Sequence, residues 1–161
     1  MPADPAAEPL EFPEEYGRSE VQLEWSGVRE RLAGAQRYWL ATVRPDGRPH
    51  AVPLDGLWVD DAWYFGGSPS AVKHRNLSAN PRAVLHLEDA ERAVIVEGAC
   101  EVIVPSAELA ARLAELSNAK YGYGVDASRY AQGVWRLAPV RVLSWEQFPR
   151  DATRFVFGGD R

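Results

Sequence analysis

The chain has 161 residues, 46% of them apolar and 25% charged, with a formal net charge of −5 and a single cysteine, Cys100. This is the composition of a globular domain long enough to bury a core of its own; it excludes an intrachain disulfide framework and a thiolate metal cluster, and no apolar run approaches the roughly 20 residues of a membrane span. The acidity is local: Asp4, Glu8, Glu11, Glu14 and Glu15 stand without a base in the first 15 residues, so the remaining charges sum to zero, and residues 62–87 contain no acid at all.

Residues 1–18, punctuated by Pro2, Pro5, Pro9 and Pro13, read as an acidic leader, solvated and extended or disordered, ahead of one domain over 19–161. The leader lacks the basic start and apolar stretch of a secretory signal, so a cytoplasmic location is expected. Over 19–36, Val21, Trp25, Val28 and Leu32 recur at helical spacing and predict an amphipathic helix closed by Gly34. β-branched and aromatic runs then predict strands at 38–44, 49–59 and 62–66. Pro49 and Pro53 cannot donate to a ladder, so the middle strand is expected to be bent, bulged or locally unpaired near "HAVPLDG".

A short helix fits residues 70–79, ended by Pro81, and two Val/Ile-rich strands fit 82–87 and 93–104. Ser106 followed by Leu109, Leu113 and Leu116 marks a capped helix. Strand character resumes at 133–145 across Pro139 and again in "TRFVF". At least six strands with two or three outer helices form no repeat, and they imply a mainly β, α+β fold: an antiparallel barrel, closed or nearly so, which removes exposed edges.

The chemical motifs are mostly negative. His50, His74 and His86 fall on three different elements without ligand spacing, so no metal site is expected. No serine sits in a G-x-S-x-G turn, and neither dinucleotide nor P-loop glycine motifs occur. Nucleic-acid binding does not fit a body without basic excess or a reader motif. What remains is "FGGSPSAVKHRNLSANPR": glycines, two hydroxyls and Lys73, Arg75 and Arg82 at a strand-to-helix junction. A helix N-terminus with such donors favours a phosphate-type anion, while a surface helix with ordinary solubilising charges has the same spacing. The six tryptophans and six tyrosines are read first as core packing, with room left for a flat ring.

The stretch "YWLATVRPDGRPHAVPLDGLWVDDAWYFGGSPSAVKHRNLSANPRAVLHLEDAERAVIVEGACEVI", about residues 36 to 104, resembles the pyridoxamine 5′-phosphate oxidase-like split β-barrel family. It is most similar to the flavin/deazaflavin oxidoreductase branch, which carries a "K-x-R-N-L-x-x-N-P-R" element; "AKYG" (119–122) and "DATRF" (151–155) also look like that branch. The resemblance implies a split barrel with flanking helices, forming a homodimer with cofactor grooves at the subunit interface. It implies coenzyme F420, with FMN as the alternative, its phosphate at Ser68, Ser70, Lys73, Arg75 and Asn76 and its ring against Val52, Pro53 and Leu54. Residues near Trp145 and Arg154 would approach from the other subunit.

The implied activity is hydride transfer between the cofactor and a small electron-poor organic substrate, with no catalytic side chain named. The alternatives are an FMN-dependent oxidase or reductase of the same fold, or a non-catalytic flavin-, F420- or haem-binding protein. Gly67, Pro69 and His74 depart from the family's usual hydroxyl and small residues, and Asp55 puts a carboxylate near the implied ring site.

Overall fold

A computed structural model describes residues 3–158; Pro2 of the leader and residues 159–161 lie outside the described residues. The elements run β1 (Ala6–Pro9), α1 (Trp25–Gly34), β2 (Tyr38–Val43), β3 (Pro49–Leu54), β4 (Leu57–Val59), β5 (Ala62–Phe65), α2 (Val72–Ala79), β6 (Arg82–His86), β7 (Val94–Ile103), α3 (Ala107–Tyr121), β8 (Val134–Ser144) and β9 (Thr153–Val156), with short 3-10 turns at Glu14–Tyr16 and Ala127–Tyr130. All strand pairs are antiparallel. The sheet follows the order β1-β9-β8-β7-β6-β2-β3, and the β4–β5 hairpin joins it through β8. The fold is the antiparallel split barrel with flanking helices expected above.

The long strand β8 is where the barrel divides. Its first half pairs with β5 (Leu137 opposite Trp63, Trp135 opposite Phe65) and its second half with β9 (Arg141 opposite Val156). Its other edge pairs with β7 throughout, with one register shift where Gly98 faces Pro139. The bulge accommodates a proline that could not serve a regular ladder, and Gly98 is required there because a Cβ would overlap the Ala138 carbonyl.

β5 shows why "AWYF" reads as a continuous apolar run rather than an alternating one. Trp63 and Phe65 point into the main core with Trp25, Leu32, Tyr38, Leu40, Leu85 and Phe155, while Ala62 and Tyr64 point to a second cluster with Leu57 and Leu113 beneath α3. Both faces are covered, so neither position has reason to be polar. Cys100 is 4% exposed in the main core, where burial pushes its thiol up to about 12.

Three expectations are corrected. The leader is extended but not free: Ala6–Pro9 pairs in register with β9, and the Glu8 carboxylate accepts from Arg154 at 2.6 Å. α1 starts at Trp25 rather than near 19, because the Glu20 and Val21 amides donate to the Arg150 carbonyl (2.7 and 3.2 Å) and the Leu23 amide to Thr153 Oγ1 (2.9 Å). Those donors are thereby committed to the C-terminal segment, which holds 20–23 extended. Finally, the strand read over 49–59 is two: β3 keeps full register with β2 despite its prolines, and the chain breaks at Asp55–Gly56 before β4. Pro49 and Pro53 are tolerated because β3 is an edge strand, with one side free of the ladder.

The β4–β5 turn is made by Asp60 and Asp61, both at positive φ (49° and 57°), the geometry of a tight two-residue hairpin that aspartate tolerates better than most residues. Each turn carboxylate also fastens a helix: Asp61 accepts from Arg29 and Trp25 Nε1 of α1, and Asp60 accepts from Arg112 of α3 at 2.7 Å.

Candidate cofactor and substrate cavities

Two adjoining cavities open where β5 runs into α2. The first, about 460 Å³, is bounded by Leu54 and Gly56 from the β3–β4 break, Tyr64 and Gly67 at the end of β5, Lys73 from α2, and Tyr121, Tyr123, Arg129 and Tyr130 from the end of α3 and the loop after it. The second, about 420 Å³, lies beyond Phe65, Gly66 and Gly67 and is walled by Pro69, His74, Ser78, Val102 and Trp135. Arg129 and Tyr130 belong to both.

The loop leading into α2 is shaped by Gly67 and His74. Gly67 has φ +124°, a conformation that favours glycine, and a Cβ there would come within 2.9 Å of Lys73 Nζ and displace it. His74 is buried; its Nδ1 lies 2.6 Å from the Ser68 carbonyl, and its ring stacks on Trp135 at 5.4 Å. A carbonyl can only accept, so Nδ1 carries the proton and donates. Ser68 Oγ and Ser70 Oγ are 2.8 Å apart on the held loop. Burial lowers the Lys73 ammonium pKa below the usual lysine value.

The structure brings together only part of the expected set. Ser68 and Ser70 meet on the exposed loop before α2 and line neither cavity, whereas Lys73, in the first turn of α2, lines the first. Leu54 lines it too, whereas Val52 and Pro53 lie on the β3 edge outside the lining. Arg75 is exposed, two residues from Lys73 and so on a different face of α2. Asn76 is turned inward, 2% exposed, and donates to Thr42 Oγ1 at 3.0 Å, which ties α2 to β2. Trp145 packs on Phe148, Arg154 is paired with Glu8, and neither lines the cavities.

The opposite wall is a polar cluster. Asp55 pairs with Arg37 at 3.0 Å and accepts from the Tyr123 hydroxyl, so its charge does not face the cavity unopposed. Lys120 Nζ donates to Tyr38 Oη (2.9 Å) and to the Gly56 carbonyl (3.1 Å). The Tyr121 hydroxyl accepts from the Gly56 amide at 3.2 Å and lies within reach of the Gln36 and Gly56 carbonyls. This pins the β3–β4 break that forms the cavity floor. Burial pushes the Lys120 ammonium down to about 8.

Tyr121, Tyr123, Arg129, Tyr130 and Trp135 were not anticipated as cavity residues. The signal was present in "KYGYGVDASRYAQGVW", where tyrosines and glycines cluster between helix and strand, but the loop's placement depends on Asn118, whose side chain clamps both the amide and the carbonyl of Val125 (2.8 and 2.7 Å). Among the described residues no group of three or more His, Cys, Asp or Glu could hold a metal ion, and no helix is long and apolar enough to cross a membrane.

The family model for pyridoxamine 5′-phosphate oxidase matches residues 26–146, most of the chain and both cavities. The chain belongs to this family. No curated protein matches it by sequence. Among solved structures, it is similar to an F420 reductase (28% identity, TM-score 0.53, covering 70% of this chain and 94% of the other). It is also similar to a conserved hypothetical protein from Mycobacterium tuberculosis (23% identity, TM-score 0.65, covering 80% and 88%). A heme storage protein from Vibrio cholerae shares the fold at 19% identity (TM-score 0.60, covering 77% and 95%). Proteins of this pyridoxamine oxidase-like fold thus include an F420 reductase and a heme storage protein.

Proposed function

We propose that this family member is an F420-dependent oxidoreductase that transfers a hydride between the deazaflavin cofactor and a small electron-poor organic substrate, acting as a homodimer in the cytoplasm. One observation carries the reading: Lys73 lines a cavity of about 460 Å³ without any carboxylate partner among the described residues, and the Ser68 and Ser70 hydroxyls lie on the loop just before its helix. Arg29, Arg37, Arg92, Arg112, Arg136, Arg141 and Arg154 are all engaged in ion pairs. An ammonium left unpaired beside a glycine, on a helix entered through a loop with two hydroxyls, is suited to phosphate oxygens.

The residues present fit such a group. Lys73, Ser68 and Ser70 would hold the phosphate, Arg75 would add long-range attraction from the surface, and Asn76 would support the site by fixing α2 to β2. Leu54, Tyr64 and the tyrosines of the α3 loop would enclose the flat ring, with the Pro53 carbonyl on the open side of β3 available to its edge or to a second copy of the chain, and Val52, whose backbone faces β2, holding that edge in register. The cofactor supplies the hydride chemistry when bound; the chain binds, orients and excludes water. FMN offers the same phosphate and a similar ring and is the alternative occupant.

The test is a titration of the purified chain with F420, FMN and haem. F420 is expected to bind most tightly, and Lys73→Ala to weaken it by about tenfold or more, the scale of a lost charge-assisted hydrogen bond, while Arg75→Ala costs less. An unchanged affinity in Lys73→Ala overturns the phosphate assignment. Retention of haem alone makes the protein a carrier rather than a reductase. Oxidation of reduced F420 by activated enones or quinones above the protein-free rate is the expected sign of catalysis.

A further inference from the structure

The second cavity holds chemistry that the cofactor reading leaves unused. His74 is only 5% exposed, lines this cavity, and spends Nδ1–H on the Ser68 carbonyl. Across the ring, Nε2 is buried and has no hydrogen-bond partner. A neutral imidazole that donates through Nδ1 presents a bare lone pair at Nε2, and a buried acceptor left unsatisfied carries a desolvation penalty that a ligand donor would relieve. Burial favours this neutral form and Lys73 adds to it, while the Ser68 and Gly66 carbonyls oppose it only in part.

The rest of the wall narrows the ligand. Trp135, Phe65, Val102 and Val134 make an apolar slot, and the lining contains no Asp or Glu. Arg129, an exposed residue of the lining, has no carboxylate partner among the described residues, and Gln132, Ser78 and Tyr130 also belong to the wall. A planar apolar body that carries an anion for Arg129 and a hydrogen-bond donor for His74 satisfies all three features. The volume, about 420 Å³, suits a small fused-ring compound rather than a peptide or polymer.

We propose that the His74–Trp135 cavity is the substrate pocket, and that it takes planar conjugated carboxylic acids bearing a hydroxyl or ring N–H, with the carboxylate on Arg129 and the donor on His74 Nε2. As a substrate pocket this rests on the cofactor reading, since the two cavities meet at Gly66, Gly67 and Tyr130; as a binding site it does not.

The experiment is calorimetric titration of the cofactor-free full-length chain with 6-hydroxy-2-naphthoate, 2-naphthoate, 6-methoxy-2-naphthoate and 2-naphthol. The hydroxynaphthoate is expected to bind best, with both acids lacking the hydroxyl weaker by about fivefold or more, as one satisfied buried acceptor requires. Arg129→Gln is expected to weaken all three acids about tenfold and leave 2-naphthol unchanged. The ligand series tests His74 without altering it, so a folding defect in a His74 variant cannot obscure the result. Equal affinity for the hydroxy and methoxy acids, no binding of any acid, displacement of the acid by F420, or an Arg129→Gln chain that binds acids normally overturns the proposal. Acid binding that persists when neither F420 nor FMN binds would bring down the cofactor reading alone; cofactor binding without acid binding would bring down the pocket alone.

Discussion

Gly56 occupies a place where no side chain fits: a Cβ there would overlap the Trp63 indole, which is fully buried. Gly56→Ala is therefore expected to destabilise the chain by about 1–3 kcal/mol through overpacking, read as a lower urea midpoint with an unchanged slope. Asn76 and His74 were legible in sequence only as polar residues near a phosphate element. Their spacing on α2 could not show that Asn76 turns inward to Thr42 or that His74 braces the Ser68 loop, because both depend on partners 34 residues away and on a loop bend, respectively. The contact between Ser68 and Ser70 and the place of Lys73 at the start of α2 follow from the strand-to-helix junction itself, which needs no distant chain.

At the scale of elements, hydrophobic pattern located nearly every strand and helix, and the misreadings share one cause. The start of α1, the break after β3 and the pairing of the leader are all set by the C-terminal segment or by α3, through Arg150, Thr153, Tyr121 and β9. Local periodicity carries no record of such distant partners. The leader offers a direct check. Removing residues 1–9 uncovers β9 and releases Arg154 from Glu8, with an expected loss of about 1–3 kcal/mol from the cross-strand pairs and no change in F420 affinity, since neither element lines a cavity. A truncated chain of full stability would show the β1–β9 pairing to be energetically idle.

For the whole molecule, the buried polar cluster gives stability a characteristic dependence on pH. The Lys120 ammonium titrates at about 8 in the folded chain, against roughly 10.4 for an unfolded lysine. Between those values the unfolded chain holds more protons, so stability rises with pH from about 8 towards 10, and Lys73, also lowered, acts in the same sense. Above about 10 the slope reverses, because the phenols of Tyr38, Tyr64 and Tyr121 are raised by burial and the unfolded chain then loses protons first. Urea midpoints measured across this range are expected to show the rise, and Lys120→Met to flatten it. A profile unaffected by Lys120→Met would mean that the ammonium is as well solvated folded as unfolded.

Cys100 also gives the protein a built-in clock. Its thiol is sealed in the main core and disfavours the thiolate that alkylating reagents attack, and no second cysteine competes for reagent. Labelling at neutral pH must therefore wait for the barrel to open around β7. At high reagent concentration the labelling rate reports the frequency of that opening and, at low concentration, its equilibrium population. Because a ligand that binds only the closed barrel suppresses both, the same thiol would register cofactor or acid binding without any optical signal from the ligand.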